Sequence, residues 1–373
     1  MSDDTPLPDQ VPGAPHPGET PVLFGQEAAE QAFMDSYTSD RLHHGWLLTG
    51  PQGVGKATLA WRIARFLLAT PQGGDDGLFG APSPPGSLDI DADHPVARRM
   101  ASGAEPGLAV IRRSLNDQGR VRNDIVVDDI RKLSRFFGLS ATDGGRRIVI
   151  VDSADEMNTS AANALLKMLE EPPARTTLLL VSHQPSRLLP TIRSRCRTLR
   201  LSALGPKDMR SAVEQTGAIL PDNPDHLTAL AAGSVGFALR LINLGGLDIY
   251  RELIALMDSL PRLDRQRALA LAGASAQRGA AEKFDLLLTL FDILLARLAR
   301  TGASGAPPLP EAANGESALL KRLSADPDRA RQWAEVSAGI TSRMRHGQAV
   351  NLDPAALVLD TVFKIQETAS QVT

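Results

Sequence analysis

Short apolar runs alternate with stretches of helical periodicity through the first half of the chain. Three runs predict buried strands because they are brief, rich in apolar or β-branched residues and followed by glycine or a polar residue: 45–49, 147–152 and 177–182. A shorter strand is expected over 197–201. After the first run, Leu59, Ile63 and Leu67 recur at helical spacing. Strands that alternate with helices predict an α/β fold with a doubly wound parallel sheet.

Two more helices of this block are marked by the residues at their ends. Asp128 is a good N-cap for a helix that carries Ile130, Leu133 and Phe136. The segment 160–171 predicts a strong helix, which the following pair of prolines stops. These helices complete the α/β block that we expect over residues 22–201.

The pattern becomes purely helical after residue 201. Residues 202–245 predict a small helical domain, and 246–373 predict a larger one that is interrupted by a loop at 301–315. Asp353 and Pro354 are typical of an N-cap and a first helical position, so a last helix is expected over 355–365. The chain thus divides into an α/β core and two helical domains.

Two segments rich in proline and glycine interrupt this organisation. Residues 1–21 contain six prolines among Gly and Asp and predict a disordered tail: Pro6, Pro8, Pro12, Pro15, Pro17 and Pro21. Residues from about 71 to 95 are rich in Gly, Pro and Asp and predict a surface insertion within the core.

Composition narrows the function classes. A formal net charge of −3 over 373 residues argues against a strongly basic grip on nucleic acid. The single cysteine excludes an internal disulfide and a cysteine-based zinc site, and we expect no protein-built metal site. The most apolar stretch, 286–298, contains Asp292 and Arg297 and is too short to span a bilayer. Because no secretory signal opens the chain, we expect a cytoplasmic protein without membrane contact.

A glycine-rich loop carries the first candidate chemistry. The segment 50–56 fits the phosphate-binding pattern G-x-x-x-x-G-K, with Gly50, Gly55 and Lys56 at its fixed positions and Gly53 between them. Glycines let backbone N–H groups turn inward, and the following helix adds positive potential at its N-terminus. Lys56 would reach the outer phosphates of a nucleotide. The alternative is an ordinary glycine-rich turn.

Two groups needed for hydrolysis are replaced in this pattern. Ala57 stands where a Ser or Thr hydroxyl normally holds magnesium, and Thr58 lies about 100° further round the helix. Asp152, at the end of a strand, is typical of a magnesium-steadying carboxylate, but Ser153 follows it where an ATPase has a Glu that orients water. Asp152 as a plain turn cap remains the structural alternative.

An arginine just before the last strand carries the third candidate chemistry. Arg195 follows Ser194 and precedes Cys196, and an arginine at a domain edge can neutralise the γ-phosphate of a nucleotide in a neighbouring subunit. Its planar guanidinium suits phosphate better than an ammonium does. The alternative is a solvated basic edge, since other arginines crowd the same segment: Arg193, Arg197 and Arg200.

These motifs together resemble the clamp-loader branch of the AAA+ ATPases. The resemblance rests on 50–56, Asp152, the run A-N-A-L-L-K-M-L-E-E-P-P that ends at Pro173, and S-R-C at 194–196. It implies an AAA+ core, a helical lid over 202–245 and a helical collar over 246–373 for oligomer assembly. It also implies that Arg195 acts in trans as an arginine finger.

The resemblance assigns further positions and partners. It places Ser182 at the first sensor position, and it places Gly236 where ATP-hydrolysing relatives have an arginine. ATP or ADP is the implied ligand, with magnesium present only with the nucleotide, and no zinc is expected because the insertion lacks cysteines. The implied partners are the delta and tau/gamma subunits of a DNA polymerase III loader, and through them the sliding clamp and primer-template DNA.

Three functions compete on this basis. The first is a hydrolysis-impaired, stator-like loader subunit that lends Arg195 to its neighbour. The second is an active loader ATPase of the tau/gamma kind, against which Ala57, Ser153 and Gly236 argue. The third, a helicase-like AAA+ motor, would need a basic DNA channel, for which the charge balance gives little support.

Overall fold

The chain forms two compact units in the computed structural model. The model describes residues 10–11, 14–39, 41–70, 85–138, 145–277 and 279–370. One unit comprises residues 1–212 with 233–236, and the other comprises 213–232 with 237–373. The separate lid and collar boundaries at 202 and 246 stay a prediction. Of the expected insertion, residues 71–84 lie outside the described part.

The first unit is built on a parallel sheet. Its five strands among the described residues are β1 Gly45–Thr49, β2 Leu108–Ile111, β3 Arg147–Val151, β4 Thr176–Ser182 and β5 Arg197–Arg200. Their order across the sheet is β2-β3-β4-β1-β5, and every neighbouring pair is parallel. The predicted doubly wound parallel sheet is confirmed.

Helices cover both faces of this sheet. They are α1 Glu27–Thr38, α2 Lys56–Ala69, α3 Pro95–Ala101, α4 Val127–Gly138, α5 Thr159–Glu170, α6 Pro190–Ser194 and α7 Pro206–Gln215, whose last three residues are assigned to the second unit. Leu47, Val149 and Leu178 pack in one cluster with residues of α4 and α5. Since side chains alternate along a strand, the intervening residues face the opposite side, where α2 lies against β1, β3 and β4. Covering on both faces explains why the central strands are almost wholly apolar.

Every regular element among the described residues of the second unit is a helix. Its helices are α8 Pro224–Ala231, α9 Val235–Leu244, α10 Gly246–Asp258, α11 Arg265–Ser275, α12 Ala281–Ser304, α13 Glu316–Leu323, α14 Pro327–Ala349 and α15 Pro354–Ser370, with the first two residues of α9 belonging to the first unit. Trp333 and Phe291 are among its fully buried side chains. No helix in the described ranges combines the length and the apolar character that a membrane span requires.

Several element boundaries differ from the predictions. Helix α4 begins at Val127, so Asp128 lies inside its first turn and is not the N-cap. At this end of the helix, the carboxylate of Asp129 accepts the Val126 N–H at 3.3 Å, so the helix starts one residue before the predicted cap. Helix α12 continues to Ser304 and shortens the expected loop at 301–315. The predicted cap before α15 is confirmed, since Asp353 Oδ2 accepts the Ala356 N–H at 3.1 Å.

The expected disordered tail is wrong for residues 14–21. This segment packs on α2, the helix that follows the glycine-rich loop. The ring of His16 meets that of Trp61 edge-on at 5.0 Å, and Arg62 Nη1 donates to the Pro21 carbonyl at 2.6 Å. Arg65 donates to the carbonyl of Gly18. The Glu19 and Thr20 N–H groups both donate to the carbonyl of His16, so proline and glycine fit here as residues of a turn that lies against the helix.

Candidate functional site

Most candidate residues lie at one edge of the sheet. Thr49, the last residue of β1, pairs with Ser182, the last residue of β4. Val151, the last residue of β3, pairs with Leu180. The glycine-rich loop and Asp152 therefore leave the sheet at the same carboxyl edge, where ligands bind in open parallel sheets.

The glycine-rich loop has a backbone that only glycine adopts easily. The φ angles of Gly50, Gly53 and Gly55 are +148°, +76° and +99°. A Cβ at Gly50 would also collide with the carbonyl oxygen of Leu201, and one at Gly53 would collide with Ser234 Oγ. Helix α2 starts directly after the loop at Lys56. Glycines in this conformation, followed directly by a helix N-terminus, can turn backbone N–H groups toward an anion.

Lys56 is held inside the loop. Its side chain is buried, and Nζ donates to the carbonyl of Gly50 at 2.8 Å and to that of Pro51. Burial lowers the pKa of Lys56 to about 8, while the negative charges of Asp152 and Asp155 act in the opposite direction. The loop thus keeps an ammonium where outer phosphates would lie, with its hydrogen bonds made to the loop itself.

The residues after β3 are tied to the end of β4. Ser153 Oγ lies 3.1 Å from Asp152 Oδ1 and 2.9 Å from His183 Nε2. The carboxylate of Asp155 accepts the backbone N–H groups of His183 and Gln184, each at 3.0 Å. The short helical turn at 154–156 brings Asp155 to the end of β4. Ser153 is therefore engaged by its neighbours at the position where an ATPase has its glutamate.

Ser182 and His183 lie at the end of β4 beside this cluster. Ser182 is fully buried, whereas Thr58 is half-buried in the first turn of α2. Burial, followed by the positive charge of Lys56, lowers the pKa of His183 to about 4, so its imidazole is neutral at physiological pH. Sequence reasoning missed His183, whose only signal was its place after a buried strand.

Sequence reasoning also missed Gln26, whose side chain holds the glycine-rich loop in place. Its side chain is 3% exposed and donates from Nε2 to the carbonyls of Val54 at 3.2 Å and Ser202 at 2.8 Å. The Ser202 N–H donates back to Gln26 Oε1 at 3.1 Å. One amide thereby connects the loop to the exit of β5. The sequence holds no motif that marks Gln26, because both of its partners, Val54 and Ser202, are distant along the chain.

Gly236 lies against the loop. Its N–H donates to the carbonyl of Gly53 at 3.2 Å. Gly236, which the resemblance places where ATP-hydrolysing relatives have an arginine, therefore contacts the glycine-rich loop and has no side chain.

Arg195 lies at the opposite edge of the sheet. It joins α6 to β5, whose Arg197 pairs with Trp46 near the start of β1. Its guanidinium is 37% exposed and makes an ion pair of 2.9 Å with Glu170, the first glutamate of the L-E-E-P-P run. Nη1 also donates to the carbonyl of Thr191 at 3.1 Å.

The residues next to Arg195 have structural roles. Arg197 stacks over the ring of Trp46 at 5.4 Å and donates to Ser36 Oγ at 3.0 Å. Burial raises the pKa of the Cys196 thiol to about 12, which agrees with a small packed side chain rather than a reactive one.

In the described ranges, no group of three or more His, Cys, Asp or Glu side chains is arranged to hold a metal ion.

Comparisons with known proteins agree with this arrangement. Residues 25–205 match a family described as DNA polymerase III, delta subunit. The chain is 34% identical to DNA polymerase III subunit delta' of Pseudomonas aeruginosa over 61% of this chain and 63% of that protein. It is 32% identical to subunit delta' of Escherichia coli over 55% of this chain and 56% of that protein.

A third relative is a gamma/tau subunit. The chain is 29% identical to DNA polymerase III subunit gamma/tau of Mycobacterium tuberculosis over 58% of this chain and 35% of that protein. The match spans less than two thirds of the length of each of these three relatives. Over about half of its length, the chain is therefore similar to the clamp-loader subunits of bacterial DNA polymerase III, and the delta' subunits are among these relatives.

Proposed function

We propose that this chain is a delta'-type subunit of the DNA polymerase III clamp loader. It supplies Arg195 to the ATP site of a neighbouring subunit and hydrolyses little or no ATP itself. Its partners are the delta and tau/gamma subunits, and the assembly loads the sliding clamp onto primer-template DNA in the cytoplasm. The names of the relatives support this assignment, because delta' and gamma/tau proteins are among them.

The position of Arg195 is the observation that carries the proposal. The start of β1 lies beside it, since a Cβ at Gly45 would be 3.1 Å from the Arg195 carbonyl oxygen. From Gly45 to the first loop residue, Gly50, a strand rises about 16 Å. This is further than an arginine side chain reaches. The distance supports a role for Arg195 at a nucleotide of another subunit rather than at one in its own loop.

Impaired hydrolysis follows from three positions around the loop. Ala57 has no hydroxyl for magnesium, and the hydroxyl of Ser153 is engaged by Asp152 and His183. Gly236 contributes only its N–H. Each loss removes a separate group that an ATPase uses to orient water or to stabilise charge.

Nucleotide binding does not require the groups that hydrolysis needs, and the residues of the loop fit a bound nucleotide. The glycine backbone, the helix N-terminus and the buried ammonium of Lys56 suit the phosphates of ATP or ADP. Magnesium fits less well, because Asp152 remains but the hydroxyl at position 57 is missing. We propose that magnesium arrives only together with a nucleotide and that the chain binds no zinc.

An active loader ATPase of the tau/gamma kind is the second candidate. The gamma/tau relative and the intact sequence from Gly50 to Lys56 favour it. Steady-state phosphate release by the purified chain distinguishes the two. We expect no Mg-ATP turnover above background, with or without clamp and primed DNA, and no difference between the wild-type chain and Lys56→Ala. Rapid turnover that Lys56→Ala abolishes would instead establish the ATPase.

A further inference from the structure

Two acceptors hold the guanidinium of Arg195 at its edge of the sheet. Nη2 lies 2.9 Å from Glu170 Oε1, and Nη1 donates to the Thr191 carbonyl at 3.1 Å. A guanidinium carries five N–H donors in a planar fork. Among the described residues these two contacts use two of the donors and leave three for the oxygens of a phosphate.

Both acceptors belong to elements that are anchored in the core. Glu170 is the last residue of α5, and Leu169 before it is buried. The Leu169 carbonyl lies 3.0 Å from Nε2 of His44, the residue directly before β1. Thr191 lies in α6 beside Ile192, which is fully buried. The carboxylate and the carbonyl that receive the guanidinium therefore extend from a fixed backbone.

Glycine at the start of β1 brings the end of α5 close to Arg195. A Cβ at Gly45 would lie 2.9 Å from Leu169 Cδ2 and 3.1 Å from the Arg195 carbonyl oxygen. A larger residue at position 45 would push the two apart. The close packing on Gly45 therefore sets the distance between the Glu170 carboxylate and the arginine.

We propose that Glu170 is a positioning residue, which holds the guanidinium of Arg195 ready for the phosphate of a nucleotide in the neighbouring subunit. A long side chain that turns freely loses this freedom when it binds, and holding it beforehand removes the loss from the reaction barrier. Both partners are partly exposed, so water screens the pair and the guanidinium can turn to phosphate at little cost. This inference rests on the role that the proposed function gives to Arg195.

Four variants of the chain in a reconstituted loader test this role. Glu170→Ala removes the acceptor, whereas Glu170→Gln keeps an amide oxygen that can accept from the guanidinium. Glu171→Ala removes an equal charge from the exposed residue next in sequence. Glu170→Ala combined with Arg195→Ala shows whether the carboxylate acts through the arginine, because two residues that act as one unit give non-additive losses.

The measurement is steady-state ATPase with clamp and primed DNA, after gel filtration has confirmed assembly of each loader. We expect Glu170→Ala to slow the adjoining site about tenfold, which removes about nine tenths of the turnover that Arg195→Ala removes. Glu170→Gln should keep that site within about twofold of the wild type, because the hydrogen bond remains. Glu171→Ala should match the wild type, and the double variant should match Arg195→Ala.

Equal losses in Glu170→Gln and Glu170→Ala, or a gain in either, would show that the carboxylate acts through its charge and would overturn the inference. A double variant slower than Arg195→Ala would also overturn it, because Glu170 would then act apart from the arginine. If Arg195→Ala lowered turnover and Glu170→Ala did not, only the positioning role would be lost. If Arg195→Ala itself had no effect, the proposed function would fail.

Discussion

Replacing Arg195 with alanine in a reconstituted clamp loader is expected to lower ATP hydrolysis at the adjoining site about 10³-fold or more. An arginine that reaches the transferring phosphate stabilises charge that develops in the transition state, and its removal costs rates of this order. The measurement is steady-state ATPase of the loader in the presence of clamp and primed DNA. Total turnover should fall by the contribution of the one site that Arg195 completes.

Assembly of the loader should survive this substitution. The guanidinium of Arg195 is 37% exposed and its partner carboxylate, Glu170, is 43% exposed. An exposed pair of this kind contributes at most about 1 kcal/mol to stability, because water screens the charges. Gel filtration of the loader should therefore give the same complex with either chain.

Two control variants separate the arginine finger from a general basic edge. Arg193→Ala removes the same charge from an exposed position two residues away, and it should leave turnover unchanged. Arg195→Lys keeps the charge but loses the planar fork, and it should restore little activity. If Arg193→Ala and Arg195→Ala lowered turnover equally, the solvated basic edge would be the better description.

The central elements of the first unit could be predicted because each is locally consistent. Buried on both faces, β1, β3 and β4 are continuous apolar runs, and the loop after β1 has a fixed pattern of glycines. Strand β2 was missed, since it is a four-residue edge strand whose first three residues are only half-buried. So short an apolar run does not predict a strand by itself, and β2 is recognised only from its pairing with β3.

In the candidate site, too, local motifs could be predicted, whereas contacts between residues far apart in sequence could not. Gly50 to Lys56 and Asp152 were identified from their own patterns, and the structure brings them to one edge of the sheet. The contact of Gly236 with Gly53, and that of His183 with Ser153, join residues far apart in sequence. No periodicity or motif specifies such pairs, because they arise only when parallel strands are placed side by side.

Substitution of Glu316 by alanine is expected to destabilise the second unit by about 3–5 kcal/mol, since removing one partner leaves a buried charge unpaired. Glu316 is 0% exposed and accepts Arg297 Nε at 2.7 Å, Arg297 Nη2 at 2.8 Å and the Tyr250 hydroxyl at 2.6 Å. It also accepts the Ala312 N–H at 2.6 Å, so the same carboxylate holds the loop before α13 in place.

Urea unfolding followed by far-ultraviolet circular dichroism measures this loss, with Glu335→Ala on the exposed face of α14 as the matched control. Glu335→Ala should change the free energy of unfolding by less than about 0.5 kcal/mol.

Replacing Glu316 by leucine and Arg297 by methionine in one chain should lower the free energy of unfolding less than Glu316→Ala does, because no charge then remains buried. A double variant as unstable as the single one would mean that the carboxylate acts mainly through Tyr250 and the loop backbone. Equal stability of Glu316→Ala and Glu335→Ala would show that the buried pair contributes nothing to the unit.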